Sequence, residues 1–279
     1  MIPSGTALDP THLIELLGIG LIAGGTGGLF GIGGGLVMIP SMILILGDRY
    51  GPGSFHLYKL AALATAIVLS LPAIRQHIRV HAVVGSMLKG IVPLGIGGVL
   101  GGVAIASLFA DEDTHVLARL FGAMMIIVVL ATLWQQIRRE QSNVTDTPLE
   151  RTPGWLLSGV VVGMPSGLAS GLLGIGGGVW AVPVQHYGLG LRLPNAIANS
   201  SCMIAGLAAA ASVIQSVSIS QMPDLNVMDG WWLALWLAPG ALIGGWLGAR
   251  FTHRLPVGIL RNAFQVLLLV AGARLLFFD

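Results

Sequence analysis

Charged residues and cysteine are both scarce in this chain. Only 9% of its 279 residues are charged, against roughly 25% in an average soluble domain, and 54% are hydrophobic. This composition excludes an ordinary water-soluble domain, and a net charge of +2 is too small to favour binding to nucleic acid. The single cysteine, Cys202, excludes an intrachain disulfide. No Cys or His spacing is typical of a zinc or haem site, so we expect no cofactor.

Eight apolar runs, four in each half of the chain, account for the hydrophobic residues. Most are close to the roughly 17 to 25 residues that span a bilayer. Because the runs are continuously apolar, whereas transmembrane β-strands alternate in polarity over about 10 residues, they predict an all-α, polytopic membrane protein. The start, MIPSGTALDPTH, has no basic region before its apolar run, so we expect no cleaved signal peptide. The runs cover residues 12–47, 60–74, 83–109, 116–137, 155–190, 195–217, 231–249 and 257–277.

A glycine-rich block occurs twice. Residues 20–40 (GLIAGGTGGLFGIGGGLVMIP) and 163–183 (GMPSGLASGLLGIGGGVWAVP) align without a gap at an offset of 143, and 10 of 21 positions are identical. The similarity continues more weakly beyond the blocks, and it indicates an internal duplication. The matching pairs are ALATA at 62–66 with AIANS at 196–200, and GGVLGG at 97–102 with GGWLGA at 244–249.

The duplication predicts one membrane domain in three parts. A first repeat of four segments covers residues 1–137, and a second covers 154–279. Between them, residues 138–153 (RREQSNVTDTPLERTP) form the one extended polar stretch, in which Pro148 and Pro153 stop helices. We predict that this stretch is a cytoplasmic linker.

The direction of the repeats depends on how the glycine-rich segments cross the membrane. Single crossings would make the repeats parallel and would divide the lysines and arginines seven against seven between the two sides. Re-entrant hairpins would leave six crossings, would make the repeats inverted, and would divide these residues ten against four. Cytoplasmic loops carry such an excess, so we favour inverted repeats that each begin with a Gly-broken re-entrant hairpin, with both termini outside. The four basic residues of the outer side are then Arg49, Lys59, Arg119 and Arg274.

Glycines at intervals of four residues predict smooth ridges on which another helix can pack closely, without any contact with a ligand. These glycines are Gly20, Gly24 and Gly28, their repeats Gly163, Gly167 and Gly171, and also Gly97, Gly101, Gly244 and Gly248. The GIGGG runs are different. Three consecutive glycines cost a helix about 1 kcal/mol each relative to alanine, so they predict a break in the helix.

A broken helix frees backbone N–H groups, which suit an anion and are tolerated within a membrane only where they line protein or a watery cavity. They would stabilise an anion without a lysine or arginine at the bilayer centre. We therefore predict that an anionic substrate contacts Gly33, Gly34 and Gly35 together with Gly176, Gly177 and Gly178. Nucleotide binding is excluded, because neither GIGGG is followed by the Lys-Ser or Lys-Thr of a phosphate-binding loop.

Polar side chains follow each hairpin within otherwise apolar helices. Thr65 in the first half aligns with Asn199 in the second, and Ser200 comes next. Polar groups within the membrane usually face the bundle interior. Interhelical hydrogen bonding explains these three residues, and so does donation to a substrate oxygen. We include Thr65, Asn199 and Ser200 in the predicted substrate site.

The paired GLFGIGGGLVMIP and GLLGIGGGVWAVP, each followed by ALATA or AIANS, resemble the sulfite exporter TauE/SafE family over essentially the whole chain. The resemblance implies a multi-pass permease of the bacterial inner membrane. It implies export of small sulfur-containing anions such as sulfite, sulfoacetate or other organosulfonates. The family has an Ala-x-Ala-Thr-Ser type of pattern after each hairpin, so ALATA lacks its Ser and AIANS its Thr. This departure bears on the substrate.

Two other functions are compatible with the sequence. A passive anion channel would use the same glycine breaks. A membrane enzyme or assembly factor of sulfur metabolism would need a nucleophile, a metal cluster or an acid/base pair, for which only Cys202 and scattered histidines are available. The expected partners are a small anion and the lipid bilayer, and exposed glycine ridges would also suit a homodimer.

Overall fold

The computed structural model describes residues 10–47, 50, 53–106 and 154–277, with isolated residues between 119 and 133. All regular structure in this part of the chain is helical, as the composition predicts. The predicted linker, 138–153, and most of the predicted segment 116–137 lie outside the described residues. The described helices are α1 (Pro10–Phe30), α2 (Gly35–Leu46), α3 (Ser54–Arg79), α4 (Gly85–Ala106), α5 (Trp155–Leu173), α6 (Gly178–Pro183), α7 (Leu193–Ser220), α8 (Val227–Thr252) and α9 (Val257–Phe277).

Six of these helices are long and apolar enough to cross a bilayer, namely α1, α3, α4, α5, α7 and α8. Each has 19 or more residues in its span. At about 1.5 Å per residue, this length matches the hydrocarbon core of a bilayer, which is about 30 Å thick. The chain is therefore a multi-pass helical membrane protein. The two short helices, α2 and α6, each follow a GIGGG run.

Glycine ridges bring two pairs of helices into backbone contact. On α1, a Cβ atom at Gly24 would lie 2.5 Å from the carbonyl oxygen of Ala241 on α8. On α5, a Cβ atom at Gly167 would overlap the carbonyl oxygen of Gly95 on α4. The packing role predicted for the six ridge glycines of α1 and α5 is confirmed. Because these ridges are covered within the chain, they provide no exposed surface for a homodimer.

On α4, the predicted packing glycines were the wrong ones. A Cβ atom at Gly97 or Gly101 would meet no described residue within 4 Å, whereas Gly98 and Gly102 face α5 and would collide with its backbone. The sequence GGVLGG contains two overlapping registers of glycines four residues apart, and one residue along a helix turns the side chain by about 100°. Only the partner helix selects between the two registers.

Contacts between helices define their relative directions. Three pairs of helices run parallel, because later residues of one helix contact later residues of the other. On α1 and α8, Gly20 meets Leu237 and Gly28 meets Gly245; on α3 and α8, Leu60 meets Gly230 and Leu69 meets Gly245. On α4 and α5, Gly90 meets Trp155 and Gly102 meets Leu168. Along α3 and α7 the contacts advance in opposite senses, because His56 meets Gln215 while Ala82 meets Asn195. α4 runs parallel to α7, because Met87 meets Asn199 and Gly95 meets Leu207. Hence α1, α3 and α8 run one way, and α4, α5 and α7 run the other way.

These directions collect basic residues at one end of the bundle. The ends of α3 and α8 lie there, as do the starts of α4, α5 and α7. We call this the basic end. Its described basic residues are Arg75, Arg79, Lys89, Arg192, Arg250 and Arg254.

Each short helix connects two long helices that run in the same direction: α2 connects α1 to α3, and α6 connects α5 to α7. Since α1 and α3 are parallel, α2 has to run back between them. It does so beside α3, with Gly34 next to Leu69 at its start, while at its end the hydroxyl of Tyr58 donates to the carbonyl oxygen of Gly47 at 2.6 Å. The 12 residues of α2 are about 18 Å long, roughly half a bilayer. α6 takes the equivalent place between α5 and α7.

Candidate functional site

Both GIGGG runs interrupt the helix, as their composition predicts. α1 ends at Phe30 and α2 begins at Gly35, while α5 ends at Leu173 and α6 begins at Gly178. The breaks contain left-handed backbone that glycine adopts without strain, with φ of 87° at Gly33 and 76° at Gly177. An alanine in either run would therefore be strained as well as crowded.

The two breaks lie against each other in the centre of the molecule. A Cβ atom at Gly33 would lie 3.0 Å from the carbonyl oxygen of Ile175, and one at Gly35 would lie 2.7 Å from that of Gly174. A Cβ atom at Gly178 would overlap the carbonyl oxygen of Gly31. The fold thus brings together the two glycine triplets that the sequence places 143 residues apart. Their backbones are in van der Waals contact in this conformation.

Carbonyl groups at the end of α1 accept hydrogen bonds from side chains of other helices. The hydroxyl of Ser200 on α7 donates to Gly31 at 2.6 Å, and that of Thr252 on α8 donates to Leu29 at 2.8 Å. The amide N–H groups of Gly33, Gly34, Gly176 and Gly177 have no acceptor in the described part of the chain. The breaks therefore present free amide donors, as the ends of helices do.

Asn199 and Thr65 occupy different surroundings despite their alignment. The side chain of Asn199 is fully buried; its Oδ1 accepts from the amide of Val84 at 2.7 Å, and its Nδ2 donates to Oε1 of Gln185 at 3.1 Å. Thr65 is also buried, and its hydroxyl donates at 2.7 Å to Ala61 in its own helix. Of the three predicted polar residues, only Ser200 hydrogen-bonds directly to a break.

The residue that the sequence analysis missed is Lys59. The charge count places it among the outer basic residues. In the structure its side chain is only 1% exposed, and its stem lies against Gly174 at the tip of the second break. Its ammonium has no hydrogen-bond partner among the described residues. No helical period could have revealed it, because residues 57–66 of α3 are all buried and the helix has no polar face in this stretch.

Further buried polar groups without a partner collect around the second break. Ser166 lies against Gly177, and the carbonyl of Ser170 accepts from the amide of Gly174 at 2.9 Å. The hydroxyls of both serines and the Nε2 of Gln185 have no partner among the described residues. At the offset of 143, the corresponding residues of the first repeat are apolar, namely Ala23, Gly27 and Met42. The site is therefore asymmetric: apart from Lys59 on α3, these unpartnered polar groups belong to the second half.

Long apolar helices, with glycine breaks that meet at the centre of the bundle, define the class of membrane transporters built on broken helices. The chain matches the family described as Sulfite exporter TauE/SafE over residues 16–275, and it belongs to this family. No solved structure matches it.

Several curated proteins are similar to the chain over most of its length. It is 28% identical to the Probable membrane transporter protein MamO of Magnetospirillum gryphiswaldense, with 98% of the chain and 46% of that protein aligned. It is 28% identical to a Probable membrane transporter protein of Haemophilus influenzae (94% and 97% aligned) and 26% identical to YunE of Bacillus subtilis (95% and 97% aligned). The chain therefore spans about half the length of the MamO proteins and nearly all of the other two.

Proposed function

We propose that the protein is a secondary transporter that exports small sulfur-containing anions, such as sulfite, sulfoacetate or other organosulfonates. The observation that carries this proposal is the buried ammonium of Lys59 beside the second glycine break, without a partner in the described part of the chain. A buried ionised side chain without a partner is costly, and ionisable residues within membrane helices are usually functional. An anion that enters beside it would supply the missing countercharge.

The surrounding groups suit a sulfonate or sulfite. Each of its three oxygens accepts hydrogen bonds, and the second break offers donors: the hydroxyls of Ser166 and Ser170 and the free amides of Gly176 and Gly177. Hydrogen bonds between a charged and a neutral group are stronger than neutral ones, so these donors favour an anion over a neutral solute. A sulfonate also keeps its charge throughout the physiological pH range.

The transport cycle that we propose is alternating access between two inverted repeats, 1–137 and 154–279, joined by the linker 138–153. The aligned helices α1 and α5 run in opposite directions, as do α3 and α7, and this supports inversion. The return of α2 and α6 beside long helices supports a hairpin at the start of each repeat, and the first arms of these hairpins, α1 and α5, are themselves long enough to cross the bilayer. The six basic residues at the basic end support a cytoplasmic location for that end.

The predicted glycine and polar residues take separate roles in this cycle. Contact between the triplets Gly33–Gly35 and Gly176–Gly178 closes the centre of the molecule, and a rocking of the halves would part them to admit the anion. Ser200 holds the first break through Gly31, and Asn199 joins Gln185, just after α6, to Val84, just before α4. The hydroxyl of Thr65 bonds within α3, to Ala61. We propose that all three shape the site, and that the anion contacts it chiefly through the second break.

Transport in liposomes tests the proposal. We expect the purified protein to move at least one of sulfite, sulfoacetate and thiosulfate with saturable kinetics, with the zwitterion taurine as a comparison. Saturation and counter-transport would distinguish a transporter from a passive channel, which would conduct without either. The absence of flux for every sulfur anion would contradict the proposed function.

Replacement of Cys202 by alanine separates a transporter from a membrane enzyme. Cys202 is the only thiol in the chain and lies on α7, three residues beyond Asn199. We expect Cys202→Ala to retain transport within about twofold, because the proposed site uses donors and charge rather than a nucleophile. Loss of more than about tenfold, with normal folding shown by size-exclusion chromatography, would favour thiol chemistry.

A further inference from the structure

A groove between α3 and α8 at the basic end is separate from the glycine breaks. It encloses ≈ 420 Å³ and is lined on one side by Leu71, Arg75, Gln76 and Arg79, and on the other by Leu242 and Trp246. The groove combines strong positive charge at one end with an apolar wall at the other.

The charged part of the groove is formed by arginines that have no ion pair within the described residues. Arg75 and Arg79 are one helical turn apart and both are exposed. Arg250 does not line the groove, but its Cζ lies 5.4 Å from the ring centroid of Trp246, which does. Guanidinium groups bind phosphate oxygens in a bidentate manner, and Gln76 adds an amide donor beside them.

The apolar part lies deeper in the membrane. Leu71 is 57% exposed, Leu242 42% and Trp246 44%, so this wall is open towards the surroundings of the bundle. Leu71 is one turn before Arg75, and Leu242 is two turns before Arg250, which places them about 6 and 12 Å nearer the bilayer centre. Within a membrane, such a wall contacts acyl chains.

We propose that this groove binds an anionic phospholipid. The headgroup phosphate lies between Arg75 and Arg79 beside Gln76, and an acyl chain lies along Leu71 and Leu242. Basic pockets between membrane helices on the cytoplasmic side recognise lipids in this way. A soluble anion would not use the apolar wall, which is why the geometry points to a lipid. The site is independent of the transported substrate.

Lipid retention in nanodiscs tests the proposal without any assay of transport. The protein is placed in phosphatidylcholine discs that contain a minor fraction of phosphatidylglycerol or cardiolipin. Bound lipid is then counted by native mass spectrometry, and thermal unfolding is followed in parallel. We expect the wild type to retain anionic lipid preferentially and to unfold at a higher temperature with it. The double variant Arg75→Gln/Arg79→Gln should lose roughly tenfold in retention.

Matched variants exclude a general effect of charge and of misfolding. Lys89→Gln/Arg192→Gln removes two exposed charges from the same end and should retain lipid as the wild type does. Arg75→Lys/Arg79→Lys keeps the charge but loses bidentate geometry, so its retention should be intermediate. Equal retention by the wild type and Arg75→Gln/Arg79→Gln would overturn the proposal. So would equal stabilisation by inorganic phosphate in pure phosphatidylcholine discs, which would identify a soluble-anion site instead.

Discussion

Replacement of Lys59 by methionine is expected to lower the kcat/KM of anion transport by at least about 100-fold. Removal of one partner from a buried ion pair costs about 3–5 kcal/mol, and each 1.4 kcal/mol corresponds to a factor of 10 in binding. Methionine is chosen because it fills a similar volume against Gly174 without the charge. Flux of a sulfur anion into liposomes, measured over a range of substrate concentrations, gives the result.

The stability of the same variant should change in the opposite direction. In the absence of substrate, the ammonium of Lys59 is buried without a partner among the described residues, and a buried unpaired charge destabilises the fold. We therefore expect Lys59→Met to unfold at a temperature at least as high as that of the wild type. Loss of transport with retained stability identifies a binding group, whereas loss of both would indicate a structural one.

Two further variants complete this test. Lys89 is the only other lysine of the chain and is exposed at the start of α4, so Lys89→Met should transport like the wild type. Lys59→Arg keeps the charge in a larger side chain and should retain part of the activity. Normal KM and kcat in Lys59→Met would refute the role of Lys59 in anion binding but not the proposed function as a whole. Failure of the wild type to transport any sulfur anion would refute the proposed function as a whole.

Replacement of Gly167 by alanine is expected to lower the melting temperature markedly. A Cβ atom there would overlap the carbonyl oxygen of Gly95, which belongs to the backbone of α4 and cannot rotate away. Overpacking of this kind costs about 1–3 kcal/mol. The same change at Gly97 meets no atom within 4 Å in the described part of the chain, and it should be neutral or stabilising by up to about 1 kcal/mol, because alanine is the better helix former.

Thermal unfolding of both variants in the same detergent or nanodisc provides the measurement. The pair is matched in chemistry, and both positions lie within helices that the structure pairs along their length. Similar losses at Gly167 and Gly97 would mean that the register of α4 against α5 is wrong. In that case, the exposed face of α4 would be the packed one.

Some features of the fold followed from local composition. The helix breaks at 31–35 and 174–178 were predictable because three consecutive glycines cannot be sustained in a helix. The ridges of α1 and α5 were predictable because glycines four residues apart lie on one face. In both cases the physical cause acts within one segment, so no knowledge of the partner was needed.

Other features depended on partners distant in sequence. The amino-acid sequence by itself determined a helical membrane protein, two glycine breaks, and an uneven distribution of basic residues, because hydrophobicity and backbone freedom are properties of each segment. Only the tertiary structure decided which glycines of α4 pack, and which break gathers unpartnered polar groups. It also buried the side chain of Lys59 beside Gly174, near the start of α3 and away from the basic end, because the burial of a side chain depends on the helices that surround it.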